Sequence, residues 1–103
     1  MKFVISISFL RNGSAAENEA AQRRLLDVYS NWKPPAGMTF NQFLSRCDGG
    51  GGFAVVETDN PADLIDATSK FGAFLDYQIY PVVEIADGVQ ASREALSFLD
   101  SIT

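Results

Sequence analysis

Glu57 is the residue whose type and place most invite chemistry. It closes Phe53-Ala54-Val55-Val56-Glu57-Thr58, the most β-prone stretch of the chain, just before a helix-start signal. A carboxylate half buried there, at the rim of a pocket, has its pKa raised by desolvation and serves as a general base. The plainer reading is a salt bridge to Arg46 across a hairpin, or simple exposure. Cys47 would be a nucleophile only beside a base, a cation or a helix N-terminus. Its neighbour Arg46 points to the other face of a strand, so Cys47 reads as a small buried hydrophobe. The glycines after Asp48 lead into a strand rather than a helix, which makes them a hairpin turn and not a phosphate cradle. Asp48, Asp59, Asp63 and Asp66 fit no calcium-loop spacing, and Asp59 and Asp63 are helix-start residues. Aromatic side chains offer a different chemistry, the walls of an apolar ligand site: Tyr29, Trp32, Phe43, Phe53, Phe71, Phe74, Tyr77 and Tyr80. Ordinary core packing competes for the same residues, because a domain this small needs most of its large side chains to fold.

What is missing narrows the chemistry further. The chain has no histidine and one cysteine, so by itself it builds no catalytic triad, imidazole metal site, proximal-histidine haem site or internal disulfide. No metal and no cofactor are expected. Net charge is −5 over 103 residues, unevenly spread: +2 for residues 1 to 56 and −7 for 57 to 103. The closest approach to a basic patch, Arg23-Arg24, shares its helix with Glu17, Glu19 and Asp27, so nucleic acid is not an expected partner. The apolar runs are strand-sized, well short of the roughly 20 residues that span a bilayer. The opening Met1 to Phe9 lacks the long apolar centre of a signal peptide. A cytoplasmic protein is expected.

The elements that must position these residues follow from periodicity. Residues 2 to 10 alternate, with Phe3, Ile5, Ile7 and Phe9 on one face. Ser14 and Glu17 form a capping box that opens a helix whose apolar stripe is Ala21, Leu25, Val28 and Trp32, flanked by Leu26 and Tyr29; Pro34-Pro35 ends it. A second strand is predicted over 39 to 47, with Phe40 and Leu44 on one side and Phe43 and Cys47 on the other. The glycine turn joins it to a central third strand. Asn60-Pro61-Ala62-Asp63 starts a helix with Asn60 as N-cap, carrying Leu64, Ile65, Thr68 and Phe71 and closed by Gly72. Residues 75 to 85 alternate again. Pro81 places that strand at an edge or a bulge, because proline donates no ladder hydrogen bond. Asp87-Gly88-Val89-Gln90 opens a last amphipathic helix with Val89, Leu96, Leu99 and Ile102 on its apolar side.

The order β-α-β-β-α-β is the split-βαβ, ferredoxin-like α+β arrangement: a four-stranded antiparallel sheet ordered 4-1-3-2 with two helices on one face. Residues 1–103 read as one domain, with 1–87 as core and 88–103 as an added C-terminal helix. The other sheet face, carrying Val4, Val55 or Val56, Val82 or Val83, and Tyr80, has no helix of its own. A second copy around a twofold axis would cover it, sheet against sheet.

The run from Gly51 to Leu64 followed by Leu75 to Val83, with the opening Phe3-Val4-Ile5, resembles the domain of unknown function 3303 family of short bacterial chains, over about residues 2 to 88. Arg46-Cys47 before the glycine turn and Phe71 at the end of helix two depart from its pattern. The family is similar in turn to the dimeric α/β-barrel superfamily, which includes cofactor-independent monooxygenases and isomerases. The resemblance implies a ferredoxin-like fold and a homodimer, and offers only an analogy for function.

The functional expectation is a homodimer binding an apolar or aromatic small molecule between helices and sheet. Glu57 is the candidate catalytic group, and the pocket is formed by Tyr29, Trp32, Phe43, Arg46, Phe71 and Tyr77. Any catalysis would proceed without metal or haem, by proton transfer or cofactor-free oxygenation. The alternative is a non-catalytic accessory dimer whose acidic second half and C-terminal helix, including Glu94 and Asp100, form a partner surface.

Overall fold

The computed structural model describes residues 1–102. Its elements run β1 (Lys2–Phe9), α1 (Ala15–Asn31), β2 (Thr39–Ser45), β3 (Gly51–Glu57), α2 (Asp63–Lys70), β4 (Leu75–Val82) and α3 (Ile85–Ser101). The sheet order is β2-β3-β1-β4, the expected 4-1-3-2 read from the other edge, and every pairing is antiparallel. Pro81 does lie on an edge strand, since β4 pairs only with β1.

Register decides which side chains reach the core. Ile5 lies opposite both Ala54 and Ile79, and Phe3 lies opposite Val56. Phe3, Ile5, Ala54 and Val56, with Met38 and Leu64, make the buried cluster on the helix side, and the partly buried Ile79 packs against it. β3 contributes Gly52 and Ala54 to that side, along with Val56, which is fully buried. Its larger Phe53 and Val55 face the other way, opposite Ser6 and Val4. The uncovered face therefore carries Val4, Val55, Tyr80 and Val82 together with Leu44 and Phe53, whereas Val56 belongs to the core.

β2 departs from the expected alternation. The ladder slips between Phe40 and Gln42, so that Phe40 lies opposite Val56 and Phe43 opposite Ala54. One extra residue in the strand brings Phe40 and Phe43, expected on opposite sides, to the same face, where their rings stack with centroids 5.4 Å apart. The strand also ends at Ser45, two residues early, which leaves Cys47 in the turn and exposed rather than buried.

The capping box forms as expected: Ser14 Oγ accepts from the Glu17 amide and Glu17 Oε1 accepts from the Ser14 amide. The buried stripe of α1 is narrower than predicted. Only Leu25 is buried, while Leu26 and Tyr29 are more than half exposed. α2 begins at Asp63, after a turn in which Asn60 Oδ1 accepts from the Ala62 amide; proline at 61 sits in that turn rather than in the helix. Buried Thr58 ties β3 to α2 by donating to Asp63 Oδ2 at 2.8 Å.

α3 starts at Ile85, with Glu84 as N-cap, ahead of the predicted residues 87 and 88. None of its residues is buried, and Ile85, Leu96, Phe98 and Leu99 are each more than half exposed. A 17-residue helix is about 25 Å long, and it accounts for the elongated chain, 63 Å in its longest dimension. The radius of gyration is 18.5 Å, against about 13 Å for a compact domain of this size.

Candidate functional site

A cavity of about 370 Å³ lies between α1, α2 and the helix-facing side of the sheet, within the size range of small-molecule sites. Its origin is legible in the residues below it. β3 presents Gly52 and Ala54 there, and α2 presents Ala67, so the sheet and helix surfaces leave a gap that larger side chains would have filled. Ile5, Ile7 and Leu64 add aliphatic wall.

Aromatic rings build one side of the cavity as a continuous series. Trp32 meets Phe71 edge-on at 5.3 Å between centroids and Phe40 edge-on at 6.2 Å, and Phe40 stacks on Phe43. Trp32 can reach both Phe71 and Phe40 because it is the C-cap of α1: its backbone is already extended, φ −89° and ψ 140°, which turns the ring away from the helix. Its indole Nε1 donates to Asp66 Oδ2 on α2 at 2.9 Å. Lys70 lies one turn further along α2, with Nζ 2.6 Å from Asp66 Oδ1. Together, Lys70 first and the Trp32 indole second, they hold the Asp66 carboxyl below the usual carboxylate range.

Among the described residues, no charged side chain lines the cavity. The hydroxyl-bearing residues that line it are Tyr29, Ser45, Thr68 and Tyr77. Thr68 is engaged with the carbonyls of its own helix. Tyr77, opposite Ile7 on β4, is half-buried, and burial pushes its phenol up to about 12.

The structure thus brings together five of the residues singled out in the sequence: Tyr29, Trp32, Phe43, Phe71 and Tyr77. Two others lie elsewhere. Arg46 follows the end of β2 and pairs with Asp48, whose carboxyl is held low first by the Gly50 amide and then by Arg46. Glu57 shares the opposite sheet face with Val55, opposite Lys2 and Thr39, with Lys2 Nζ 3.6 Å away and its side chain about half exposed at 51%. Its salt-bridge partner is Lys2 rather than Arg46. Lys2 also donates to Glu84 at 2.9 Å, and Glu84 is the main cause of the raised Lys2 pKa. The expected place for Glu57 at the pocket rim is corrected by strand alternation: with Ala54 and Val56 inward, position 57 faces outward. Of the remaining aromatics, Phe53 and Tyr80 belong to the uncovered face, and Phe74 lies outside the cavity wall.

Sequence reasoning passed over Met38, Gly52, Ala54 and Ala67. Met38 is an isolated apolar residue after Pro34-Pro35-Ala36-Gly37, with no periodic neighbours to mark it. The small residues give no hydrophobic signal, and their contribution is the space they leave.

Such a four-stranded sheet, with two helices over one face, defines a ferredoxin-like α+β protein. Within that class the chain belongs to the DUF3303 family, a domain of unknown function, which it matches over residues 1–96. No curated protein matches the chain. Among the described residues, no helix is long and apolar enough to cross a membrane.

Proposed function

We propose that this protein is a homodimer that binds an apolar or aromatic small molecule in the cavity between its two crossover helices and its sheet. The observation that carries the reading is the cavity itself: about 370 Å³, walled by aromatic and aliphatic side chains and free of charged ones. Any turnover at such a site would be of the cofactor-independent kind, oxygenation or isomerisation, with a tyrosine hydroxyl rather than Glu57 as the hydrogen-bond donor to the reacting group. One exposed thiol in the chain suits a reducing compartment such as the cytoplasm.

The test uses N-phenyl-1-naphthylamine, a neutral apolar dye whose emission rises in dry surroundings. Saturable binding of one dye per chain is expected, abolished by Ala67→Leu, which fills the cavity from α2. A dye that fails to bind, or binds Ala67→Leu equally well, defeats the small-molecule reading.

The dimer rests on two uncovered surfaces of the same chain: the sheet face with Phe53 at 43% and Tyr80 at 51% exposure, and α3 with no buried residue. Sedimentation should give twice the chain mass, reduced to one by Phe53→Glu. A second reading, a non-catalytic accessory dimer, is favoured by the apolar exposure of Ile85, Leu96, Phe98 and Leu99 on α3. It predicts that α3 remains accessible after the dimer forms.

A further inference from the structure

Within the cavity wall, hydrogen-bonding capacity is distributed very unevenly. The Trp32 indole N–H is committed to Asp66, and the Thr68 hydroxyl to backbone carbonyls of α2. Tyr29, Ser45 and Tyr77 keep hydroxyls that bond to no other described residue. Tyr29 and Ser45 are exposed, open to solvent with or without a ligand. Tyr77 is different. It is half-buried on β4 among Ile7, Ile79 and Leu75, which share the helix-facing side of β1 and β4. A phenol in apolar surroundings with no protein partner is costly to leave unsatisfied once a ligand expels water from beside it. An apolar ligand that offers it an acceptor avoids that cost.

The wall also restricts charge. With no Lys or Arg on it, a carboxylate or phosphate brought inside would lose its hydration with nothing to offset the loss. With no Asp or Glu there either, the same holds for an ammonium group.

We propose that the ligand of this cavity is an uncharged apolar molecule bearing a carbonyl-type acceptor, a ketone, quinone or lactone, and that the Tyr77 hydroxyl is the donor that orients it. This rests on the small-molecule reading above and adds the ligand's class and its anchor. The chemistry is donation only. Burial raises the phenol's pKa to about 12, so the proton stays on Tyr77 at neutral pH and the hydroxyl polarises a carbonyl rather than removing a proton.

Three ligands of one shape separate the possibilities by displacing N-phenyl-1-naphthylamine: 4-phenylcyclohexanone, phenylcyclohexane and 4-phenylcyclohexanecarboxylate. The ketone should displace the dye at a concentration about ten-fold lower than the hydrocarbon, the discrimination one buried donor provides. The carboxylate should be weaker than the ketone by at least as much. In Tyr77→Phe the ketone and hydrocarbon should displace the dye at concentrations within about two-fold of each other. Tyr29→Phe should keep the ketone preference. Hydrocarbon and ketone binding alike to the unaltered protein, a ketone preference that survives Tyr77→Phe, or a carboxylate that binds best would each overturn the proposal while leaving the small-molecule reading intact. Loss of dye binding in Tyr77→Phe would assign that residue to shaping the cavity and overturn it as well. Failure of the dye to bind the unaltered protein removes both readings together.

Discussion

The indole N–H of Trp32, at the end of α1, donates to the carboxylate of Asp66, in the middle of α2, at 2.9 Å. It is a direct side-chain link between the two helices that roof the cavity. With Lys70 on the other carboxylate oxygen, Asp66 sets the orientation of the ring that Phe40 and Phe71 pack against.

Asp66→Ala should therefore loosen that ring and shift the emission of Trp32, the only tryptophan in the chain. The pH dependence has a definite sign. Because the Asp66 pKa is depressed in the folded protein, by Lys70 first and Trp32 second, its contribution is present above the ordinary aspartate range, about pH 4. It is lost as pH falls through the lower folded value. Trp32 emission should stay constant from neutrality to about pH 4 and change only below it. A transition near pH 6 would contradict the arrangement.

Tyr77 sets the alkaline limit. Its folded pKa, raised to about 12 by burial, lies above the unfolded value near 10. Its contribution is complete below that unfolded value and is lost as pH rises through the folded one, because only the unfolded chain ionises readily in between. Chemical denaturation between pH 9 and 12 should show falling stability that Tyr77→Phe partly removes. Absorbance titration should show one fewer tyrosine ionising near pH 12 in that variant.

Two glycines at the hairpin should respond very differently to alanine. At Gly51, φ is +151° and a Cβ would stand 1.9 Å from the Ile7 carbonyl oxygen on the adjacent strand. Gly51→Ala should cost about 3 kcal/mol or more, since backbone of a central strand must move. At Gly49, φ is +72° but nothing lies within 4 Å. Gly49→Ala should cost about 1 kcal/mol, the left-handed conformation alone. Urea denaturation of the two variants measures the difference, and equal losses would count against the register of β1 and β3.

Leu64→Ala tests whether the core is held from α2. Leu64 is buried against Phe3, Ile5 and Val56, so its loss should cost about 2 to 5 kcal/mol. Ile65→Ala, one position along and 62% exposed, should cost less than about 0.5 kcal/mol.

Much of the fold follows from local chemistry that a single chain carries openly. Ser14 and Glu17 satisfy each other's amides wherever that helix starts, Pro34 stops it, and Pro81 admits β4 only at an edge. Five of the candidate pocket residues were legible for a related reason: large aromatic side chains at helix ends and strand positions have few places to go except one shared interior. What local pattern could not decide was facing. In β3, hydrophobic size points to Phe53 and Val55 as the inward set, yet Ala54 and Val56 are inward, because they lie opposite Ile5 and Phe3 on β1 and opposite Phe43 and Phe40 on β2. That choice of parity puts Glu57 on the opposite face beside Lys2. The extra residue in β2 reverses parity again and unites Phe40 with Phe43. A side-chain period of two makes each of these an all-or-none outcome set by the pairing strand, not by the residue itself. The sequence alone therefore determined the elements, their order and the aromatic character of the interior. Tertiary pairing alone decided which residues meet across the cavity, because a cavity is defined by the space that facing surfaces fail to fill.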